Sequence, residues 1–321
     1  MSKYLVIPRR ADSPMTHKGG STEETVCEIA KNLLHYPGPS DYLMAIPADT
    51  KIATFAVLKD DAFCSLEITP KTLDTWRNDV IGIQEIDEQL ARSGMASQTA
   101  LVAQAMNTQH WGFAPVMVGT PGEKWRKLNS LDTKVVTAEN CESNRQSNVD
   151  GNYGIGVVSK VPVKHWDRLE LGNSPFGMPL VIPAENKKGK QSVRMIYVAD
   201  EPRVALAATM DNGWTVINTH LSFVPFVNYR QLRKIKKWAA QLSAQYGTQV
   251  LIIGDMNLPK GLPAVGSTWN SLVEQNSYPS WGSKVQFDYI LSNTLKPDQY
   301  EALPTVATGM SDHLPVRVRI L

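Results

Sequence analysis

The sequence predicts an α/β protein in which two β-sheets pack against each other with helices outside. Three observations carry that prediction. Apolar runs of strand length recur from residue 51 to the C-terminus. Only a few segments between them carry a helical pattern. The chain, 42% hydrophobic and 20% charged over 321 residues, has enough apolar material for one large sandwich or two small domains.

The elements follow in order. Residues 11–22 are polar, with Gly and Pro, and read as a loop. Thr22-Glu23-Glu24-Thr25 opens a short helix from Val26 to His35, which Pro37-Gly38-Pro39 ends. Residues 52–58 form a first strand of the main body. A helix around Thr69–Asn78, which Pro70 could start, precedes the strand Val80–Ile86. Glu88 to Asn107 is expected to be helical. Strands are expected at 154–163, 194–198, 203–210 and 214–219. Asn228 to Tyr246 places Leu232, Ile235, Trp238, Ala239 and Leu242 on one helical stripe. Strands at 250–254, 285–291 and 316–321 close the set. The segment from Pro115 to Asn152 is polar and reads as an inserted loop.

Composition excludes several classes. A net charge of +2 makes no global demand for a polyanion, so such binding must come from local patches. Cys27, Cys64 and Cys141 lie far apart without CxxC spacing, which argues against a disulfide framework or a zinc knuckle. No apolar run reaches the roughly 18 residues of a membrane span, and the apolar stretch at the start is too short for a secretory signal. The expected setting is cytoplasmic or otherwise intracellular.

Several strand-like runs stop at polar, metal-competent residues. Gln84-Glu85 ends one, where a buried carboxylate needs a partner or a cation. Asn218-Thr219-His220 ends another, and Asn and His can both face a phosphate. In Gly254-Asp255-Met256-Asn257 the Asp and Asn, two apart, point to one side of an extended segment. Asp288 sits inside an apolar run and needs a partner such as His313, which follows Asp312 at the mouth of the last strand. An Asp that holds an imidazole raises its basicity and fixes its tautomer. Each segment also has a plain structural reading: a surface Glu, a sheet-edge His, a Gly-Asp-Asn turn, a solvated strand face. Taken together, carboxylates without cysteine favour Mg²⁺ or Mn²⁺ over Zn²⁺. A hard cation beside an Asp-His pair that activates water is a plan for phosphoester hydrolysis.

In this order Gln84-Glu85, the run Tyr153 to Lys160, Asn218-Thr219-His220-Leu221, Gly254-Asp255-Met256-Asn257, Asp288 and Ser311-Asp312-His313 resemble the endonuclease/exonuclease/phosphatase superfamily. The resemblance spans about residues 50–321 and is specific for the superfamily rather than for a substrate. It implies a four-layered α/β sandwich with two mixed sheets face to face, and a catalytic domain at 51–321 behind an N-terminal extension, 1–50, of unassigned role. It implies Glu85 as a metal ligand assisted by Asp312, and His220 on the scissile phosphate. Asp255 would orient or deprotonate water, Asn257 would donate to phosphate or water, and Asp288 and His313 would be the paired base. The chain departs from the family at Ala56, where an Asn normally reaches the metal or phosphate, so weakened metal-dependent activity is expected.

For the substrate, basic residues are the best clue. Lys187-Lys188-Gly189-Lys190 reads as an exposed loop, and Arg230, Arg233, Lys234, Lys236 and Lys237 share a helix. Arg230, ten residues after His220, could hold a phosphate, while a solvated face accounts for the rest. Trp111, Trp166, Tyr229, Trp269 and Trp281 are of types that stack on bases, though such residues are as a rule partly buried. A DNA or RNA nuclease comes first. Alternatives are a phosphomonoesterase, a sphingomyelinase-like lipid phosphodiesterase with Phe223–Val227 as an apolar lip, and a non-catalytic binding protein on this fold.

Overall fold

A computed structural model describes residues 3–7, 52–56, 64–68, 78–122, 124–130, 132–143, 150–185, 191–259, 261–305 and 311–321. The helix expected at 26–35, and all but Asn78 of the helix expected around Thr69–Asn78, lie outside these residues. The strands are β1 (Lys3–Ile7), β2 (Ile52–Ala56), β3 (Cys64–Ile68), β4 (Val80–Glu88), β5 (His110–Gly119), β6 (Trp125–Lys127), β7 (Val136–Thr137), β8 (Asn152–Ser159) and β9 (Val163–Gly172). They continue as β10 (Met178–Glu185), β11 (Gln191–Val198), β12 (Arg203–Met210), β13 (Trp214–His220), β14 (Gln249–Asp255), β15 (Asn270–Ser271), β16 (Asp288–Ser292), β17 (Tyr300–Leu303) and β18 (Val316–Ile320). The α-helices among the described residues are α1 (Gln98–Ala105) and α2 (Val227–Tyr246).

Two large sheets form the body. One runs β17-β18-β2-β4-β8-β5-β6, with β7 also paired to β5; the other runs β15-β16-β14-β13-β12-β9. Both are mixed, because β2–β4 and β13–β14 are parallel and their neighbours antiparallel. Val116, Ile155 and Val157 of the first sheet meet Leu206, Val216, Leu251 and Ile253 of the second in one core. The outer face of the first sheet packs Ile81, Phe113 and Val158 against Ala103 of α1. The outer face of the second packs Ile217, Val250 and Ile252 against Leu232, Ile235, Ala239 and Leu242 of α2. Helix, sheet, sheet and helix are the four layers, and their strands are buried on both faces, hence the continuous apolar runs.

Several expected elements change. The helix expected over 88–107 shrinks to α1. Glu88 still belongs to β4, a 3₁₀ turn at Ala91–Ser93 ends at Gly94 in the left-handed region, and Ser97 then caps α1 by accepting the Ala100 N–H. The strand expected over 154–163 is two strands, β8 and β9. Ser159 Oγ bonds both Val161 N–H and Val161 carbonyl and turns the chain between them. The loop expected over 115–152 begins inside β5, whose register shifts at Pro115–Met117, and also supplies β6 and β7 at the sheet edge. Proline has no N–H for the ladder, so a bulge accommodates it. In the 1–50 region the described strand β1 pairs with β3 in a separate ribbon.

The strand directions make the two ends of the sandwich unequal. At one end the connections are short, at 160–162, 211–213 and 247–248. At the other they are long: 89–97, 120–151, 173–202, 221–226, 256–287 and 304–315. The second end collects the polar strand termini.

Candidate active site

Sheet register builds half the site. Parallel pairing of β13 with β14 sets His220 beside Asp255, and antiparallel pairing of β14 with β16 sets Asp288 on the far side of Asp255. The three residues form one row across adjacent strand ends. His313, from the segment before β18, closes on this row: its Nδ1 lies 2.7 Å from Asp288 Oδ2 and its Nε2 4.0 Å from Asp255 Oδ2. His220 Nε2 lies 3.6 Å from the same Asp255 oxygen. Asp255 Oδ2 therefore faces two imidazoles just beyond hydrogen-bond distance, while its Oδ1 accepts the Asn257 N–H at 2.8 Å.

Two backbone distortions aim the side chains. The β4–β8 register slips between Ile83 and Ile86, and Glu85 sits at a positive φ of 53°. This bulge breaks the two-residue alternation: Gln84 is buried between the sheets, while the Glu85 carboxylate reaches 3.8 Å from His220 Nδ1. Asn257 also has positive φ, 46°, which Asn tolerates, and its amide donates to the Leu221 carbonyl at 3.0 Å.

Asn218 is placed differently from a phosphate ligand. It is fully buried; its Nδ2 donates to the carbonyls of Ile83 (2.9 Å) and Gly156 (2.8 Å), and its Oδ1 accepts from Gln84 Nε2 at 2.6 Å. Its amide hydrogens are spent on joining the two sheets behind the site. Arg230 is exposed on the first turns of α2. Lys234 donates to the Glu170 carbonyl and Lys236 to the Pro263 carbonyl, so part of the basic face of α2 is structural. Asp312 sits next to His313, and its carbonyl accepts the Ser280 N–H at 2.7 Å. Ala56, at the end of β2, is in register with Gln84, one residue before Glu85. Trp111 and Trp269 are buried, whereas Trp281 and Tyr229 are exposed. Phe226, within the apolar lip after His220, is 83% exposed.

Two groups, Arg203 and Glu201, escaped the sequence reading, and a third, Tyr153, entered it only as the first residue of the motif run Tyr153 to Lys160. Arg203, buried at the start of β12, donates from Nη1 to His220 Nδ1 at 3.1 Å. Arginine has no acceptor, so this bond makes Nδ1 the acceptor and leaves His220 neutral, with its proton on Nε2 toward Asp255. Glu201 lies 3.9 Å from Arg203, and its pKa is raised by burial, with Glu85 and Asp200 adding to the rise and Arg203 opposing it. Tyr153, buried, has its phenol pKa pushed up by burial and by the charges of Glu85 and Glu201. The sequence signal was the charged run Asp200-Glu201-Pro202-Arg203 before an all-apolar strand.

The electrostatics favour a cation. Burial raises the Asp255 pKa to about 7; His313 opposes this, and the negative charges of Asp288 and Glu85 add to it. For His313 burial lowers the pKa, but the charge and hydrogen bond of Asp288, with Asp255 and Asp312, carry it up to about 10. Asp288 Oδ1 is buried without a hydrogen-bond partner. Among the described residues no three His, Cys, Asp or Glu side chains close on one point as a full ligand set. The donors nonetheless fit Mg²⁺ or Mn²⁺: they are hard oxygens, and Mg²⁺ is commonly held by one or two carboxylates with water and phosphate filling the other positions.

Known proteins bear on this arrangement. No curated protein matches the chain. Among solved structures it is similar to a mannosyl-6-phosphatase of Bacteroides thetaiotaomicron VPI-5482, at 11% identity and a TM-score of 0.47, over 84% of this chain and 98% of that one. It is also similar to the human Nocturnin catalytic domain, at 14% identity and a TM-score of 0.44, over 78% and 84% of the two chains. A truncated Caenorhabditis elegans TDP2 aligns at 14% identity and a TM-score of 0.40, over 77% and 85%. The model of the Endonuclease/Exonuclease/phosphatase family matches residues 57–313, most of the chain, from just after β2 to His313 itself. Members of that superfamily are generally phosphoesterase hydrolases. By that match, the chain belongs to the Endonuclease/Exonuclease/phosphatase family.

Proposed function

We propose that residues 51–321 form a divalent-cation-dependent phosphodiester hydrolase acting on DNA or RNA. The observation that carries this reading is the row His220, Asp255, Asp288 closed by His313, with Glu85 facing it from the other sheet. Glu85, assisted by Asp312, would hold Mg²⁺ or Mn²⁺, which when bound supplies charge neutralisation at the phosphate. Asp288 fixes the His313 ring through Nδ1 and turns Nε2 toward Asp255. Asp255 Oδ2, flanked by both imidazoles, accepts the proton of an attacking water. His220, neutral, offers its Nε2–H to a phosphate oxygen, and Arg203 keeps that tautomer. Asn257 adds an amide donor, and Arg230 holds a flanking phosphate at the rim. Asn218 sets the height of His220 and Glu85 from behind. Trp281, exposed in the loop that Ser280 ties to Asp312, supports a substrate with planar groups.

The test is purified protein with Mg²⁺ incubated with plasmid, single-stranded DNA, RNA, inositol phosphates and sphingomyelin. Cleavage of a polynucleotide, abolished by chelation and reduced about 10²–10⁴-fold in His313→Ala, is expected. Cleavage of only a monoester or a lipid would replace the substrate class. Activity unchanged in His313→Ala would overturn the mechanism. In the same assay Ala56→Asn is expected to raise activity or cation affinity about 10-fold, as restoring an outer contact does.

A further inference from the structure

We propose that the solvent-facing crest of α2 is a binding track for a single-stranded polynucleotide, and that it leads the strand away from the scissile phosphate. The track rests on the polynucleotide substrate proposed for the site and adds where the uncut part of the strand lies. Helix geometry defines the crest. Leu232, Ile235, Ala239 and Leu242 are buried in the core under the second sheet. Phe226, Arg230, Arg233 and Lys237 recur every three or four residues on the opposite side, and all four are exposed. Lys234 and Lys236 lie on the two flanks and reach the carbonyls of Glu170 and Pro263. Among the described residues no side-chain hydrogen bond or ion pair engages Arg230, Arg233 or Lys237.

The charges run against the preference of the helix itself. α2 carries five cations and no acidic residue. All five lie between 230 and 237, and residues 238–246 carry no charge. A helix dipole favours cations in the last turn and disfavours them near the first. Here the last turn has none, and the cations crowd the N-terminal half, where they also repel one another. An external polyanion supplies the missing countercharge.

That half of the helix is also the half anchored at the candidate site. Asn228 Nδ2 donates to the Asn257 carbonyl at 2.9 Å, and Gln231 Oε1 accepts the Ser222 N–H at 2.8 Å. The crest therefore starts beside the site and its cations lead outward. Phe226 heads the row, 83% exposed, at a φ of 68° that a bulky residue rarely adopts. Its carbonyl accepts the Arg230 N–H at 3.0 Å, which fixes its place at the start of the helix. Tyr229, 43% exposed, follows in the first turn. Exposed rings followed by a line of cations are the combination that takes unpaired bases and their phosphates.

Length and packing select the occupant. From Arg230 to Lys237 the axis rises about 10 Å at 1.5 Å per residue. A stacked strand repeats its phosphates about every 3.4 Å, so about three of them fit the three crest cations. A duplex hides its base faces from Phe226 and Tyr229. An anionic membrane would take the apolar side of such a helix, and that side of α2 is already spent on the core.

The experiment is fluorescence anisotropy of a labelled oligothymidylate of about twelve nucleotides with Mg²⁺. Every protein carries His313→Ala, so that the strand stays intact. Arg233→Gln with Lys237→Gln should weaken binding about 10-fold at low salt and flatten the plot of log affinity against log salt by about 1.4, at about 0.7 per phosphate contact. Phe226→Ala should weaken binding about 5-fold or more at every salt concentration and leave the slope unchanged. Lys164→Gln, near the start of β9 at the opposite end, should alter neither. The far-UV spectrum and melting temperature check that these exposed substitutions leave the fold intact. Failure of the parent protein to bind the strand overturns the polynucleotide substrate and the track together. Binding by the parent with affinity and slope unchanged in Arg233→Gln/Lys237→Gln overturns the track and leaves that substrate standing. Tighter binding of duplex than of single strand overturns the single-stranded occupant. So does a double variant that loses binding to phosphatidylserine vesicles while keeping the strand.

Discussion

At the scale of single residues, hydrogen-bond partners set the protonation of the two histidines in the candidate site. His313 is held charged by Asp288 at 2.7 Å, and His220 is held neutral by Arg203 at 3.1 Å. Two histidines a few ångströms from one carboxylate thus carry opposite assignments, set by a partner that only accepts and a partner that only donates. This has a consequence for stability. The His313 pKa, about 10 in the folded protein, stands well above the ordinary value near 6.5 of the unfolded chain. Between those values the native state keeps a proton that the unfolded chain has lost. The stabilisation is complete below about pH 6.5 and is lost as pH rises through about 10. Melting temperatures of the metal-free protein should therefore decline from neutral to alkaline pH. His313→Asn should flatten that decline, and an equal slope in both proteins would remove the Asp288–His313 pair as its source.

At the scale of elements, register and bulges place the residues. One-to-one pairing of β13, β14 and β16 lines up His220, Asp255 and Asp288. Gly254 in the middle strand has φ of 128°, and a Cβ there would run into the Thr219 carbonyl. The bulge in β4 turns Glu85 toward His220 and leaves Gln84 inside. Across the interface Gly82 lets Asn218 close in, since a Cβ at Gly82 would lie 2.8 Å from Asn218 Oδ1. Asn218 then ties β13 to both β4 and β8. Asn218→Ala would leave the Ile83 and Gly156 carbonyls without that donor, and Gln84 Nε2 without that acceptor, in a buried layer. A loss of about 3 kcal/mol is expected, from roughly 1 kcal/mol per bond. Urea denaturation measures it, and a change under about 0.5 kcal/mol, the range of an ordinary surface substitution, would show that the tie is dispensable.

At the scale of the whole molecule, the candidate site and the exposed apolar side chains, the C-terminal Leu321 apart, share one end. The long connections rise there, the short ones lie opposite, and no helix of the described residues is long and apolar enough to cross a membrane. A site that buries Asp255 and Asp288 and faces Glu85 into the same space carries excess negative charge. A cation that binds only the native state must stabilise it, by about 2.7 kcal/mol at a hundred times its dissociation constant. Mg²⁺ is accordingly expected to raise the melting temperature of the protein, and Glu85→Gln to shrink that rise. An identical rise in Glu85→Gln would place the cation elsewhere.

Much of this was legible in the sequence. Apolar runs of strand length with a few helices between them indicated the sandwich, because buried strands must be apolar on both faces. Glu85, His220, Asp255, Asn257, Asp288 and His313 stood out because a polar group at the end of such a run needs a reason. What the sequence could not supply was anything carried by contacts between distant segments. Arg203 is an ordinary first residue of a strand until pairing of β12 with β13 brings it to His220. Asn218 and His220 stand two apart with similar chemistry, yet one lies between the sheets and the other in the site. The boundaries of α1, β8 and β9 turned on single capping bonds from Ser97 and Ser159. Residue types and their order determine which chemistry is available and which faces are buried. Register, bulges and strand direction, which arise only when the sheets assemble, decide which of those groups meet.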